Sequence, residues 1–268
     1  MYGVIIAFKD YTPGLGIMGS PWVGIRWFKD FFNSIYFFRL LRNTILISLY
    51  GIIWGFPIPI IFALLLNEVR DGIFKRSIQT VSYLPHFISL VVVVGMIIEL
   101  TSVDGIINQI IRRLGYAPID FMNEPRWFRT IFIGSGIWQN FGWNSIIYLA
   151  ALSSIDPQLY EAAKIDGAGR WQQMRYITLP SIMPTAIILL ILNLGSLLSV
   201  GFEKIILMYN PRTYEVADVI STYVYRRGIL GGEYSFGAAV GLFNSVANLI
   251  LLIIVNKIAK QITEIGLW

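Results

Sequence analysis

The chain has 268 residues and a net charge of +5, with 56% hydrophobic and only 14% charged side chains. A soluble domain of this size carries about 25% charged residues, so the surplus apolar surface calls for a lipid solvent. The basic residues fall in gaps between apolar runs, not along one stripe, which argues against a nucleic-acid binder. The absence of cysteine removes disulfides, thiolate metal sites and cysteine nucleophiles, and the single histidine, His86, cannot build a multi-histidine metal site.

In chain order, residues 1–8 are apolar but too short to cross a bilayer, and they lack the basic leader of a signal peptide. They read as the tail of a further span, with about 12–15 more apolar residues expected upstream, or as a piece lying at the interface. Residues 9–42 are aromatic-rich (Trp22, Trp27, Phe28, Phe31, Phe32), a composition that suits an interfacial helix. Five runs are then long enough to span: 45–66, 77–98, 131–155, 181–202 and 234–256. None carries Asp, Glu, Lys or Arg, and only His86 interrupts the second. A charge at the bilayer centre costs about 2.5–3.5 kcal/mol on insertion scales, so their absence over this length is a strong signal. The runs also lack the alternation of barrel strands, which leaves helices. The fold class expected is an all-α membrane protein: a polytopic bundle of five full transmembrane helices plus a truncated N-terminal one.

Parity puts 68–76, 156–180 and the C-terminus on one side, and the three longer gaps on the other. Lysine and arginine are spread over both sets, so positive charge does not orient the chain. The segment 156–180 is polar and stranded between two apolar runs. Asp156-Pro157 reads as a helix start, an N-cap acid followed by proline at the first position. Gly167 permits a sharp turn. A second short helix is expected from about Gly169 to Ile177, ended by Leu179-Pro180. Two readings stand: a plain connecting loop, or a docking element whose small residues Ala162 and Ala163 sit low in a partner's groove, with Glu161, Lys164 and Arg170 at its rim.

The same segment resembles the coupling motif of binding-protein-dependent ABC importer permeases. That pattern is Glu-Ala-Ala, three residues, Gly, nine residues, then Ile-x-Leu-Pro. Glu161-Ala162-Ala163, Gly167 and Ile177-Thr178-Leu179-Pro180 match every fixed position. Pro85-His86-Phe87-Ile88-Ser89, the stretch from Trp143 to Leu152, and Asp218 to Arg226 are similar to the carbohydrate-uptake branch, notably its oligosaccharide and polysaccharide permeases. The resemblance implies a six-span type I importer permease in the cell membrane. In it, residues 1–40 would hold the partial first span and an extracytoplasmic or interfacial segment, and 41–260 the transmembrane domain with a cytoplasmic coupling segment at 156–180. It implies four partners: a cytoplasmic ATPase dimer, a second homologous permease subunit, an extracytoplasmic solute-binding protein and a sugar delivered by it. The implied ATPase-coupling residues are Glu161, Ala162, Ala163, Asp166, Gly167, Ile177, Leu179 and Pro180.

No Gly-x-x-x-x-Gly-Lys-Ser/Thr run occurs. The chain therefore lacks a P-loop, is not expected to be an enzyme or to hold a cofactor or metal, and must draw on ATP through a partner. Docked helices around Glu161–Gly167 would move with the ATPase and rock the attached spans. For the solute path, polar residues inside spans tend to face a cavity. Asn140, Asn144, Asn193 and Asn248 are candidates, with Gln139, Ser196 and Asn244, while Trp138 and Trp143 offer planes for sugar rings. The competing reading is that the amides join helices and the tryptophans pack. Gly51-x-x-x-Gly55 and Gly237-x-x-x-Gly241 read as helix-packing faces, and His86 as a hydrogen-bonded residue in preference to a proton relay. The alternative function is an ion-coupled secondary transporter, disfavoured because no acid sits centrally in any run.

Overall fold

Proline and glycine decide where the apolar runs break. A computed structural model describes residues 2–268, so Met1, where the reading of a partial first span begins, lies outside the described residues. Residues Tyr2–Phe8 form a short 3₁₀ helix. Among the described residues there is no β-strand, only an isolated bridge between Lys9 and Trp22. Four helices among the described residues are long and apolar enough to cross a membrane: Phe37–Asn67, Leu90–Arg113, Arg170–Gly195 and Tyr234–Thr263.

Three of the expected runs differ in detail. Run 77–98 is not one helix: Ile73–Tyr83 gives way to a 3₁₀ turn at Leu84–Phe87, and a new helix starts at Leu90. Pro85 lacks the amide hydrogen that would continue the ladder, and its ring restricts the preceding residue. Run 181–202 stops early, because the helix ends at Gly195 and Phe202 opens a separate short helix to Met208. Run 131–155 starts inside a 29-residue helix, Pro125–Ser153, and outlasts it by two residues. That helix is long enough to span, but Gln139, Asn140 and Asn144 dilute its apolar character, and it is not one of the four.

The chain divides into two compact units. The first comprises residues up to 50, 89–133 and 196–251. Its core gathers Trp27, Phe31, Leu40, Ile220, Phe236, Ala239 and Val240. Part of the aromatic stretch packs inside this unit. The helix Arg26–Phe32 turns Trp27 and Phe31 inward, while Trp22 and Phe32 stay exposed. Trp27 Nε1 donates to the Lys9 carbonyl at 2.9 Å, and Phe31 meets Phe37 edge-on with centroids 5.1 Å apart. Such aromatic pairs contribute about 0.5–1.5 kcal/mol beyond the burial of their area.

The same unit holds a buried ion-pair network. The Asp218 side chain is fully buried. Its Oδ1 accepts from Thr222 Oγ1 at 2.7 Å and Arg226 Nη1 at 2.9 Å, and its Oδ2 accepts from Arg226 Nη2 at 2.6 Å. Arg39 Nη2 approaches Oδ2 at 3.5 Å. Burial alone would pull the Arg226 guanidinium down, but hydrogen bonds to Asp218 and Tyr209 outweigh it and hold the group above the usual arginine range.

The second unit comprises 51–88, 134–195 and 252–268, with Ala63, Leu64, Tyr148, Leu152, Ile182 and Ala186 at its core. Here Gly142 lets two helices touch through their backbones: a Cβ at this position would stand 2.1 Å from the Ser82 carbonyl oxygen. Of the Gly-x-x-x-Gly pairs, Gly55 faces Ile137 and Gly237 lies against Gly228, whereas Gly51 and Gly241 border open space.

Candidate coupling and translocation site

The segment 156–180 folds from local signals. Asp156, in extended conformation, accepts the Gln158 amide at 2.9 Å and starts the helix Pro157–Ile165. Gly167 adopts φ +78°, a left-handed conformation that a side chain would oppose. The reversal is closed by Ala168 N donating to the Ala163 carbonyl at 2.8 Å. Gly169 then caps Arg170–Gln173, its amide held by Gln172 Oε1 at 2.8 Å.

The next turn departs from the sequence reading. Residues Met174–Thr178 form a π-helix, and the chain runs on into Leu179–Gly195 without a stop at Pro180. Proline falls in the first turn of that stretch, just after the widened turn, where a missing donor and a bulky ring are tolerated. The result is one rod from Arg170 to Gly195, with the Pro157–Ile165 helix folded back at its base. Of the candidate coupling residues, Glu161, Ala162, Asp166 and Gly167 are exposed, Ala163, Ile177 and Leu179 are half-buried, and Pro180 is exposed. At 100° per residue, Glu161, Ala162 and Ile165 share one face of the helix while Tyr160 and Ala163 turn the other way. Ile165 is 87% exposed and Trp171 81% exposed, large apolar surfaces for a polar segment to present to water. Arg170 lies 4.0 Å from Glu68 with 85% of its side chain exposed, a pairing worth little.

The candidate path residues separate. In the second unit, Asn140, Trp143 and Asn144 lie on one face at the middle of the Pro125–Ser153 helix, whereas Trp138 lies more than about 100° around it. Asn140 Oδ1 sits 2.9 Å from His86 Nδ1, and Asn140 Nδ2 donates to the Gly136 carbonyl at 2.9 Å. The imidazole stacks on Trp143 with centroids 4.6 Å apart and planes 3° apart, and Phe87 meets the same indole edge-on at 5.2 Å. Asn144 is exposed and has no hydrogen-bond partner among the described residues. Gln139, by contrast, is buried and donates to the Ile88 carbonyl at 3.3 Å, joining helices. Asn193 donates to the Leu189 carbonyl at 2.7 Å within its own helix. Asn248, in the first unit, accepts the Leu198 amide at 3.0 Å and donates to Ser199 Oγ at 2.8 Å, so its amide pins the turn after the rod. Sequence reasoning missed the stacking role of His86, for which only its adjacency to Pro85 and Phe87 was a cue.

It also passed over Lys204. Its Nζ donates to the Phe132 carbonyl at 2.8 Å and lies 4.8 Å from the Phe132 ring centroid. Burial pushes its pKa down to about 8. Arg129 donates to Asn43 Oδ1 at 2.9 Å and to the Val216 carbonyl at 3.3 Å, and Arg42 to the Glu215 carbonyl at 3.2 Å. Among the described residues, none of these three cations has a carboxylate within 4 Å.

Membrane-length helices and an exposed elbow at the root of one of them are the build of a multi-pass membrane protein. Residues 55–264 match the family described as binding-protein-dependent transport system inner membrane component, and the chain belongs to that family: it is the permease subunit of an ABC importer, resident in the membrane. Among relatives, it is 49% identical over 269 residues to "Protein LplB" of Bacillus subtilis (strain 168), covering 100% of this chain and 85% of that one. It is 47% identical over 269 residues to the "Polygalacturonan/rhamnogalacturonan transport system permease protein YteP" of the same organism, covering 100% and 84%. Among solved structures, it matches a bacterial ABC transporter involved in the import of the acidic polysaccharide alginate, with TM-score 0.90, 44% identity, and coverage of 97% of this chain and 88% of that one. A structure of the bacterial alginate ABC transporter in complex with its pentasaccharide-bound periplasmic protein matches equally, at TM-score 0.90 and 44% identity, covering 99% and 88%.

Proposed function

We propose that this permease carries an oligosaccharide across the membrane, delivered by an extracytoplasmic binding protein and driven by a separate ATPase dimer docked on Glu161–Gly167. The observation that carries this reading is the elbow itself. The coupling pattern starts on a capped helix whose Glu161, Ala162 and Ile165 face outward, turns at Gly167 and ends at Ile177–Pro180 near the base of a 26-residue rod. A second permease of the same kind completes the pore. The Pro125–Ser153 helix serves as a fifth crossing, and the N-terminal segment belongs to a further one. Lacking a P-loop, the chain takes no part in nucleotide binding.

The substrate reading is an acidic sugar chain. One relative is described as a polygalacturonan/rhamnogalacturonan permease and one similar structure as importing the acidic polysaccharide alginate, and Arg42, Arg129 and Lys204 leave positive charge without carboxylate partners, which draws an anionic solute. Trp143 and Asn144 form the contact surface this reading favours, whereas both ends of the Asn140 amide are engaged, by His86 and by the Gly136 carbonyl. An unpaired amide at the middle of a membrane helix is costly against lipid, so its natural surroundings are water, a partner or a hydroxyl-rich ligand. Asn193 and Asn248 are tied within their own surroundings, and Trp138 lies on another face.

Reconstituting the permease with its partner subunits in vesicles tests this directly. Glu161→Lys is expected to abolish uptake of a uronic-acid oligosaccharide while leaving membrane insertion intact. Unimpaired uptake by that variant counts against the docking role, and preference for a neutral oligosaccharide of equal length counts against the acidic substrate.

A further inference from the structure

A push on an exposed helix moves a distant rod only if the joint between them is stiff. Two glycines, Gly167 at φ +78° and Gly169, lie in this joint, and the rod's opening turn Arg170–Gln173 is followed by a π-helix, Met174–Thr178. Each weakens the connection, through backbone freedom or through poorer hydrogen-bond geometry. Something must compensate if the stroke is to pass.

The compensation is a side-chain bond that bypasses the glycines. Tyr160 OH lies 3.0 Å from Thr178 Oγ1, across 18 residues of chain. Tyr160 immediately precedes Glu161 but turns away from the exposed face, and Thr178 is the last residue of the π-turn, 4% exposed. The threonine hydroxyl also reaches the Gln173 carbonyl at 3.4 Å, across the widened turn. Gln173 Nε2 in turn donates to the Ala168 carbonyl at 2.8 Å, and Ala168 N to Ala163. The bonds form a closed ring: coupling helix, π-turn, Gln173, Ala168 and back to the coupling helix.

We infer that Tyr160 and Thr178 are a positioning pair that locks the docking helix to the root of the Arg170–Gly195 rod, so that motion of the ATPase reaches the span instead of flexing the elbow. This rests on the docking reading of Glu161–Gly167. The pair touches neither ATP nor sugar; it decides how much transport each hydrolysis yields. A buried threonine in the variable position of Ile-x-Leu-Pro and a tyrosine just ahead of Glu-Ala-Ala are thereby given a role. Pro180 fits the same scheme, since the widened turn that accommodates it is the one the pair braces.

The test measures sugar uptake and ATP hydrolysis together in vesicles holding the complete transporter, for Tyr160→Phe, Thr178→Val and Thr178→Ser, with Glu161→Lys in parallel. Each loses little volume, and co-purification of the ATPase reports assembly. Expected are a fall of about threefold or more in sugar moved per ATP for Tyr160→Phe and Thr178→Val, the scale of one neutral hydrogen bond. Thr178→Ser is expected to retain coupling, and the double variant Tyr160→Phe/Thr178→Val to be no worse than either single one. An unchanged ratio in Tyr160→Phe and Thr178→Val, while Glu161→Lys fails, overturns the positioning role and leaves docking intact. Normal uptake in Glu161→Lys overturns docking and this inference with it. Loss of ATPase co-purification in Tyr160→Phe assigns that residue to assembly and overturns the inference as well.

Discussion

Asp218→Asn is a near-isosteric change with a large expected cost. The native carboxylate is fully buried and takes both Arg226 nitrogens, at 2.6 and 2.9 Å, with Arg39 at 3.5 Å. Removing the negative charge leaves Arg226 facing a neutral amide that can supply one acceptor, not two. Uncompensated buried charges cost about 3–5 kcal/mol. The Arg226 side chain is 28% exposed and Arg39 31%, so partial escape to water puts the expected loss near the lower end, about 3 kcal/mol. In a chain of this size that is a fall of about 6–9 °C in the unfolding midpoint. The assay is thermal unfolding of the purified permease in detergent, followed by aggregation or intrinsic tryptophan fluorescence. A second arm pairs the change with Arg226→Met. Removing both charges is expected to recover at least half the loss, because the orphaned guanidinium goes with its partner. A midpoint shift below about 2 °C for Asp218→Asn, or a double variant as unstable as the single one, refutes the reasoning.

Gly142→Val is expected to reduce the amount of folded permease sharply, since a Cβ there would collide with Ser82 backbone at 2.1 Å and overpacking costs about 1–3 kcal/mol; detergent-resistant yield from membranes checks this. Lys204 gives stability a distinctive pH dependence. Its pKa of about 8 lies below the ordinary 10.5, so between those values the unfolded chain binds more protons and stability rises with pH. Unfolding midpoints should therefore climb from pH 8 to 9.5 by the equivalent of about 2 kcal/mol, and Lys204→Met should flatten that slope. Trp143→Ala and Asn144→Ala are expected to raise the KM for sugar uptake about fivefold or more, within the 1–3 kcal/mol that stacking or a buried polar contact supplies, with ATP hydrolysis in the absence of sugar unchanged; equal KM values would return both residues to plain packing.

What could be read from the chain was what neighbouring residues decide. Asp156 before Pro157, Gly167 and the match from Glu161 to Pro180 define the elbow because capping and left-handed turns are short-range matters. Hydropathy located the rods Phe37–Asn67 and Tyr234–Thr263 for the same reason. It blurred the second run, where counting apolar residues from 77 to 98 concealed the interruption that Pro85 imposes. The π-turn and its brace were hidden because Tyr160 and Thr178 meet only after the chain reverses. Likewise, the packing of Trp27 and Phe31 against Ile220 and Phe236 was hidden, because those partners come from distant segments. His86 and Trp143 are 57 positions apart, and nothing local marks them as a stacked pair.

The central claim is that the exposed face of Pro157–Ile165 grips an ATPase. The chain has no cysteine, so Ala162→Cys, at an exposed position, places a unique thiol there. Labelling that thiol with a maleimide–benzophenone in membranes that hold the whole transporter, then irradiating so that the ketone inserts into a neighbouring C–H bond, should join this subunit to the nucleotide-hydrolysing one, and the yield should change when ATP is trapped. Recovery of the permease without that adduct, alongside normal uptake, would contradict the account.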